Sequence, residues 1–261
     1  MQIFEGQLAV VTGATGTIGK AIALELARNG ANLFLIARTP QKVADTVSEI
    51  ATSTGVKVYG AASDLGTLEG CEEAYTQLAN CYRDWNILIN CAGATRGGLW
   101  PEQADDDWLD GFALKFFGAV RMTRLLWPGL KRTHGTVINI SGGMARAPKA
   151  DFMIGGAVNA ALANFTKALA EQGLRDDVNV NWISPGTIAS KRREDILAHR
   201  AAQRGIDIEI LRAEELAATG LRRMGEGRDV AHLVSFLCRP ESRHIHGTGI
   251  TVDGGENRGF Y

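Results

Sequence analysis

Seven short apolar runs, separated by amphipathic stretches, constrain this chain more than any other feature. "LAVVT" (Leu8–Thr12), "NLFLIA" (Asn32–Ala37), "VKVYGAA" (Val56–Ala62), "NILIN" (Asn86–Asn90), "GTVINI" (Gly135–Ile140), "VNVNWI" (Val178–Ile183) and "GITVD" (Gly249–Asp253) each read as a short buried strand. Between them, Ile18–Asn29, Pro40–Thr54 and Trp108–Arg132 carry helical periodicity. Such alternation specifies an α/β fold, a doubly wound parallel sheet of about seven strands covered by helices on both faces. Ligands of such sheets bind at the carboxyl ends of the strands. At 261 residues, with no internal repeat and no linker-like composition, the chain reads as one domain, 1–261.

One region breaks the rhythm. From Ile188 to Arg223 two polar helical stretches, "REDILAHRAAQRG" and "IEILRAEELAATG", stand between the sixth and seventh strands. Leaving directly from a "PG" turn, the insertion 188–223 overhangs the strand ends and reads as a substrate lid. Its first residues, Lys191, Arg192 and Arg193, either hold an anion (cofactor phosphates or an acidic substrate) or form a solvated face.

Composition excludes several classes of function. A net charge of −1 gives no reason to expect a nucleic-acid or membrane-surface partner. The four cysteines, Cys71, Cys81, Cys91 and Cys238, have neither disulfide nor zinc spacing, and no metal site is expected. Scattered thiols, no signal-peptide pattern and no apolar run near the roughly 20 residues of a membrane span lead to a cytoplasmic expectation.

The strongest local signal is "VVTGATGTIGKAIALELARNGANLFLIAR". A strand ends at Thr12, glycines follow at Gly13, Gly16 and Gly19, and a helix begins at once. Glycine there permits a tight turn and lets backbone N–H groups approach a pyrophosphate, which the helix dipole also favours. The second strand ends in Ala37 and Arg38, with no carboxylate for a ribose 2′-hydroxyl. Unless Arg38 is a solvated surface arginine, it suits a 2′-phosphate, which favours NADP(H) over NAD(H).

These residues, with Asp64 in "SDL", "NCAG" at Asn90–Gly93, "SPG" at Ser184–Gly186 and "TVDGG" at Thr251–Gly255, resemble the short-chain dehydrogenase/reductase family. One departure is that the second glycine of the family's usual pattern falls on Thr17, so that Gly16 is displaced by one. The resemblance implies a Rossmann-like fold and cofactor contacts from Thr12, Gly13, Thr15, Gly16, Thr17, Ile18 and Gly19. It also implies that Asp64, followed by Leu65, meets the adenine, that Asn90, Ala92 and Gly93 line the ribose side, and that Pro185, Gly186 and Ile188 lead to Ser190 at the nicotinamide amide. A strand-end carboxylate such as Asp64 is otherwise a helix N-cap.

In that family a tyrosine usually passes the proton, with a serine, a lysine and an asparagine around it. Carried over position by position, the serine falls on Gly142 (Ser141 precedes it), the tyrosine on Gly155, the lysine on Asn159 and the asparagine on Lys115. The tyrosines of this chain are Tyr59, Tyr75, Tyr82 and Tyr261, so no shift of register restores the pattern. Lysine and amide have exchanged places, which makes Lys115, Asn159 and Ser141 the candidate catalytic residues. Lys115 sits in the apolar "FALKFFGAV", where a desolvated lysine would have a lowered pKa, unless it snorkels outward. Arg96, Arg146, Lys149 and Asp151 belong near the mouth of the site. Asp151 reads most simply as the N-cap of a helix through Ala170, and Trp100 either stacks on a substrate or packs.

Three functions fit these residues. The first is an NADP(H)-dependent oxidoreductase of a small carbonyl, hydroxyl or imine substrate with a tyrosine-free site. The second is a non-redox enzyme using the same pocket, and the third a catalytically inactive NADP-binding or scaffold protein. A homo-oligomer, tetramer or dimer, is expected from the apolar faces of Trp108–Arg132 and Asp151–Ala170.

Overall fold

Leu8–Thr12 (β1), with all five residues buried, runs through the middle of the molecule. In the computed structural model, which describes residues 2–258 apart from the side chains of Arg192 and Ile196, it pairs on both sides in parallel. On one side lie Asn32–Ala37 (β2) and Val58–Ala62 (β3). On the other follow Ile87–Asn90 (β4), Thr136–Ile140 (β5), Asn179–Pro185 (β6) and Gly249–Val252 (β7). The order is β3-β2-β1-β4-β5-β6-β7. Chain direction across the sheet therefore reverses between β1 and β4, the switch point at which such sheets open a ligand crevice.

The helices fall into two layers because each presents one apolar stripe. Thr17–Arg28 (α1) and Pro40–Thr54 (α2) pack Ile22, Leu26 and Ile50 against Leu33, Leu35 and Ile89 of the sheet. Leu68–Cys81 (α3) packs Leu78 on the opposite face, in the same core as Phe34 and Leu88. Burial of each such side chain is worth roughly 1.5–3 kcal/mol. Next come Asp105–Gly111 (α4), Gly118–Arg132 (α5), Met153–Asp176 (α6), Lys191–Arg204 (α7), Ile208–Thr219 (α8) and Gly227–Leu237 (α9). Leu126 of α5 and Ala170 of α6 join the α3 layer, and Val230 and Val234 of α9 join the α1 layer.

Three expectations need correction. The strands β3 and β7 are not buried, because each is an edge of the sheet; Tyr59 of β3 is exposed. The stretch Trp108–Arg132 is not one α-helix, since Phe112–Phe117 forms a π-helical turn between α4 and α5. Asp151 does not cap α6, whose N-cap is Phe152, with no side-chain cap bond. The insertion 188–223 contains the helix pair α7 and α8. It has a small core of its own in Leu197, Ala201, Leu211 and Met224. Among the described residues no helix is long and apolar enough to cross a membrane.

Candidate active site

The turn after β1 is built for close approach. Gly13 has φ +64°, and a Cβ there would lie 2.8 Å from the Ala92 backbone. A Cβ at Gly19 would lie 2.3 Å from the Gly13 carbonyl oxygen, so glycine is demanded by packing at both positions. Gly16 is different: it is the extended N-cap of α1, and its Cβ would meet nothing nearer than 3.4 Å. No side chain caps α1 and its first turn holds no acidic residue, which leaves Thr17, Ile18 and Gly19 presenting backbone N–H groups to an anion. Thr15 is part of the same turn and half-buried. Thr12 itself is buried and occupied, its Oγ1 accepting from the Cys91 and Ala92 N–H groups at 3.0 Å. It pins the β4 loop under the crevice.

Three adjoining cavities form that crevice. The first, about 580 Å³, is lined by Arg38, Asp64, Gly66, Thr67, Arg96 and Asp110 among others. Arg38 is exposed and makes no ion pair among the described residues. Asp64 does not cap α3, a task taken by Thr67. One carboxylate oxygen of Asp64 accepts from the Gly66 N–H at 3.0 Å. The Leu65 side chain belongs to the core. The second cavity, also about 580 Å³, includes Ser141, Asn159, Pro185, Gly186 and the α7 residues Arg193 and Arg200. The third, about 360 Å³, shares Thr95 with the first and Phe152 with the second, and its walls include Gly93, Lys115, Ile188 and Ser190.

Asn90 is turned away from the crevice. Its Nδ2 donates to Thr123 Oγ1 at 2.9 Å and Asn139 Oδ1 at 2.8 Å, and Asn139 Nδ2 donates to Thr166 Oγ1 at 2.8 Å. This buried chain ties β4 and β5 to α5 and α6 beneath the site. Ser190 lines the crevice while its Oγ caps α7 by accepting from the Arg193 N–H.

Lys115, Ser141 and Asn159 do come together. The π-helical turn carries Lys115 toward the crevice, where Nζ donates to the Ser141 carbonyl at 3.0 Å. Its stem lies against Gly93, where a Cβ would be 2.7 Å from Lys115 Cδ. Loss of hydration pulls the Lys115 pKa down to about 8; a charge on neighbouring Cys91 would raise it, but burial pushes that thiol up to about 12. Ser141 Oγ donates to the Asn159 carbonyl at 2.9 Å, and Asn159 Oδ1 is buried with no partner among the described residues.

Two glycines explain how these side chains fit. A Cβ at Gly142 would lie 2.5 Å from Asn159 Nδ2, so the amide occupies the volume of a side chain at 142. A Cβ at Gly155 would lie 1.8 Å from Phe152 Cε1, so the Phe152 ring fills the space at 155. Tyr59, Tyr75 and Tyr82 lie on or near β3 and α3 and line none of the three cavities, and Tyr261 lies outside the described residues.

The other mouth residues divide. Arg96 is paired with Asp107 at 3.0 Å, Arg146 and Trp100 are exposed, and Lys149 and Asp151 line the second cavity. Of the basic run, Lys191 is exposed, the Arg192 side chain lies outside the described residues, and Arg193 pairs with Glu215, which also holds Arg200. Sequence reasoning missed Phe152 and Glu256. The Glu256 carboxylate returns from the C-terminal segment to accept from the Thr187 N–H at 2.8 Å and Thr187 Oγ1 at 3.0 Å. No local pattern announces that contact, which joins residues far apart in the chain.

A family model described as short chain dehydrogenase matches residues 7–201, three-quarters of the chain, from β1 into α7. The chain belongs to the short-chain dehydrogenase family. It is 31% identical to an uncharacterized oxidoreductase, YvaG, of Bacillus subtilis, over 98% of each chain. It is 30% identical to the 3-oxoacyl-[acyl-carrier-protein] reductase FabG of Haemophilus influenzae, over 96% of this chain and 98% of that one. L-sorbose reductase from Gluconobacter frateurii, solved with NADPH and L-sorbose, superposes with a TM-score of 0.95 at 28% identity over 100% of both chains. A short chain dehydrogenase from Burkholderia cenocepacia, solved with NADP, gives 0.85 at 28% identity over 98% and 99%. The similar solved structures are thus NADPH- or NADP-bound members of the same family.

Proposed function

We propose that this family member is an NADP(H)-dependent oxidoreductase acting on a small carbonyl, hydroxyl or imine substrate at a site without tyrosine. The observation that carries the reading is the Lys115 ammonium, held on the Ser141 carbonyl in a cavity that no carboxylate lines among the described residues. The uncapped α1 turn and the Gly13 and Gly19 cradle suit a pyrophosphate, and Arg38 beside Asp64 suits an adenosine carrying a 2′-phosphate. When bound, that cofactor supplies the hydride.

The protein supplies the rest. Lys115 uses one N–H on Ser141 and has two left for a substrate oxygen. As the carbon gains the hydride, the oxygen takes the carbonyl electron pair and then the proton from Lys115 Nζ. Solvent reprotonates the amine. Asn159 Nδ2, in the volume of a side chain at 142, stabilises the developing oxyanion. A cytoplasmic homo-oligomer completes the reading, supported by free cysteines and by two exposed apolar side chains, Phe117 at the end of the π-helical turn and Leu174 on α6.

The test is a titration with NADPH and NADH, followed by a screen of carbonyls and imines for NADPH oxidation. Wild type should prefer NADPH, and Arg38→Ala should weaken NADPH binding by about ten- to a hundredfold without weakening NADH. Equal affinities in the wild type would contradict the cofactor assignment. NADPH binding with no turnover on any substrate would transfer the case to the non-redox or binding reading.

A further inference from the structure

The second cavity holds a carboxylate that the proposed reaction does not use. The Glu256 side chain is only 8% exposed, yet it lines the same cavity as Ser141 and Asn159. Its oxygens accept one hydrogen bond each, both from Thr187, and Lys149 Nζ stands 3.9 Å away, beyond hydrogen-bond reach. A carboxylate has about four acceptor sites, so about half of its capacity is unused. Asn159 lines the same cavity, and its Oδ1 is a second buried acceptor, with no partner among the described residues. Buried acceptors are costly to leave unmet, and two of them in one cavity call for a ligand that brings donors.

The donor can be a hydroxyl or an ammonium, and the surrounding charges choose between them. Lys149, Arg193 and Arg200 line the cavity together with Asp151, Glu215 and Glu256, and Glu215 already holds both arginines, so its formal charges balance. The Lys115 ammonium of the adjoining cavity then tips the site against a cationic ligand, whereas a neutral hydroxyl meets no such penalty. Resting on the reductase reading above, we propose that Glu256 is a specificity-determining residue that accepts a hydrogen bond from a substrate hydroxyl. The substrate class is then a hydroxylated ketone, with Asn159 Oδ1 available to a second hydroxyl.

Calorimetric titration of the NADPH complex, which reads binding independently of turnover, tests this. The probes are the ketohexoses in both enantiomeric series, 2-hexanone as the hydroxyl-free counterpart, and 1-amino-1-deoxyfructose as the ammonium counterpart. At least one ketohexose should bind about ten- to a hundredfold more tightly than 2-hexanone or the amino sugar. Glu256→Gln should erase that preference and leave both 2-hexanone and NADPH affinity unchanged. On any ketohexose that is also reduced, the loss should fall on KM rather than kcat.

Equal binding of ketohexose and 2-hexanone by the wild type would overturn the proposal, as would tighter binding of the amino sugar. Equal loss of every ligand in Glu256→Gln would assign the carboxylate to holding Thr187 alone; Thr187→Val, which frees Oε1 without touching the charge, should by contrast retain the hydroxyl preference. Selective ketohexose binding without NADPH oxidation would leave this inference standing and sink the reductase reading instead.

Discussion

At the scale of single residues, the site is a set of interlocked exchanges rather than a list of losses. Asn159 can stand at its position because Gly142 has no side chain, and Gly155 is glycine because the Phe152 ring is already there. Restoring a tyrosine by Gly155→Tyr alone should therefore overpack the crevice and cost about 1–3 kcal/mol. Thermal unfolding should show that loss, and Phe152→Gly in the same chain should recover most of it. If Gly155→Tyr alone is as stable as wild type, the ring does not hold the space. The amide and lysine positions were legible in the sequence, because family spacing transfers residue by residue. Phe152 was not, since only three-dimensional overlap shows which side chain fills a glycine's vacancy. Asn90 was read as cofactor-facing because its motif is right. Its carboxamide nitrogen donates to Asn139 and Thr123, and Asn139 carries the chain on to Thr166, partners invisible to a local reading.

Among elements, the decisive one is the π-helical turn at Phe112–Phe117. Turns of this kind occur inside helices at functional sites, where they re-aim a side chain. Here Lys115 is the residue re-aimed. "FALKFF" has the composition of an ordinary helix, so periodicity read straight through it to Arg132. The packing of α5 against α6 is fastened by Asp176, which accepts from Trp127 Nε1 at 2.8 Å, Lys131 Nζ at 2.5 Å and Gln172 Nε2 at 2.7 Å. The bonds from Gln172, Lys131 and Trp127 hold its carboxyl well below the ordinary 3.8. A carboxylate whose pKa is depressed on folding adds stability above its unfolded pKa and loses it as pH falls toward the folded one. Wild type should lose stability on acidification below about pH 4, and Asp176→Asn should be less stable at neutral pH and lose less over the same range. Parallel melting curves against pH for the two proteins would show that this junction does not titrate.

For the whole molecule, the strand count, the parallel sheet and the helical insertion followed from alternation and its interruption between β6 and β7, because burial on both faces leaves a continuous apolar signature. The exposed edges β3 and β7 did not follow, since strand order is a property of the assembled sheet. The same holds for Glu256, which reaches the cavity only because β7 returns the chain beside β6. What the assembled fold delivers is one crevice with Arg38 and Asp64 in one cavity, residues of α7 and α8 lining another and Lys115 in the one between. The central claim, that this lysine supplies the proton, is tested most directly by the pH dependence of NADPH oxidation by wild type and Lys115→Met on the same substrate. The protonated lysine is the donor, so wild-type kcat should fall as pH rises through about 8. Lys115→Met should bind NADPH normally, turn over roughly 10²–10⁴-fold more slowly and show no break in that range. A Lys115→Met protein that keeps the wild-type rate and the wild-type profile would contradict the account.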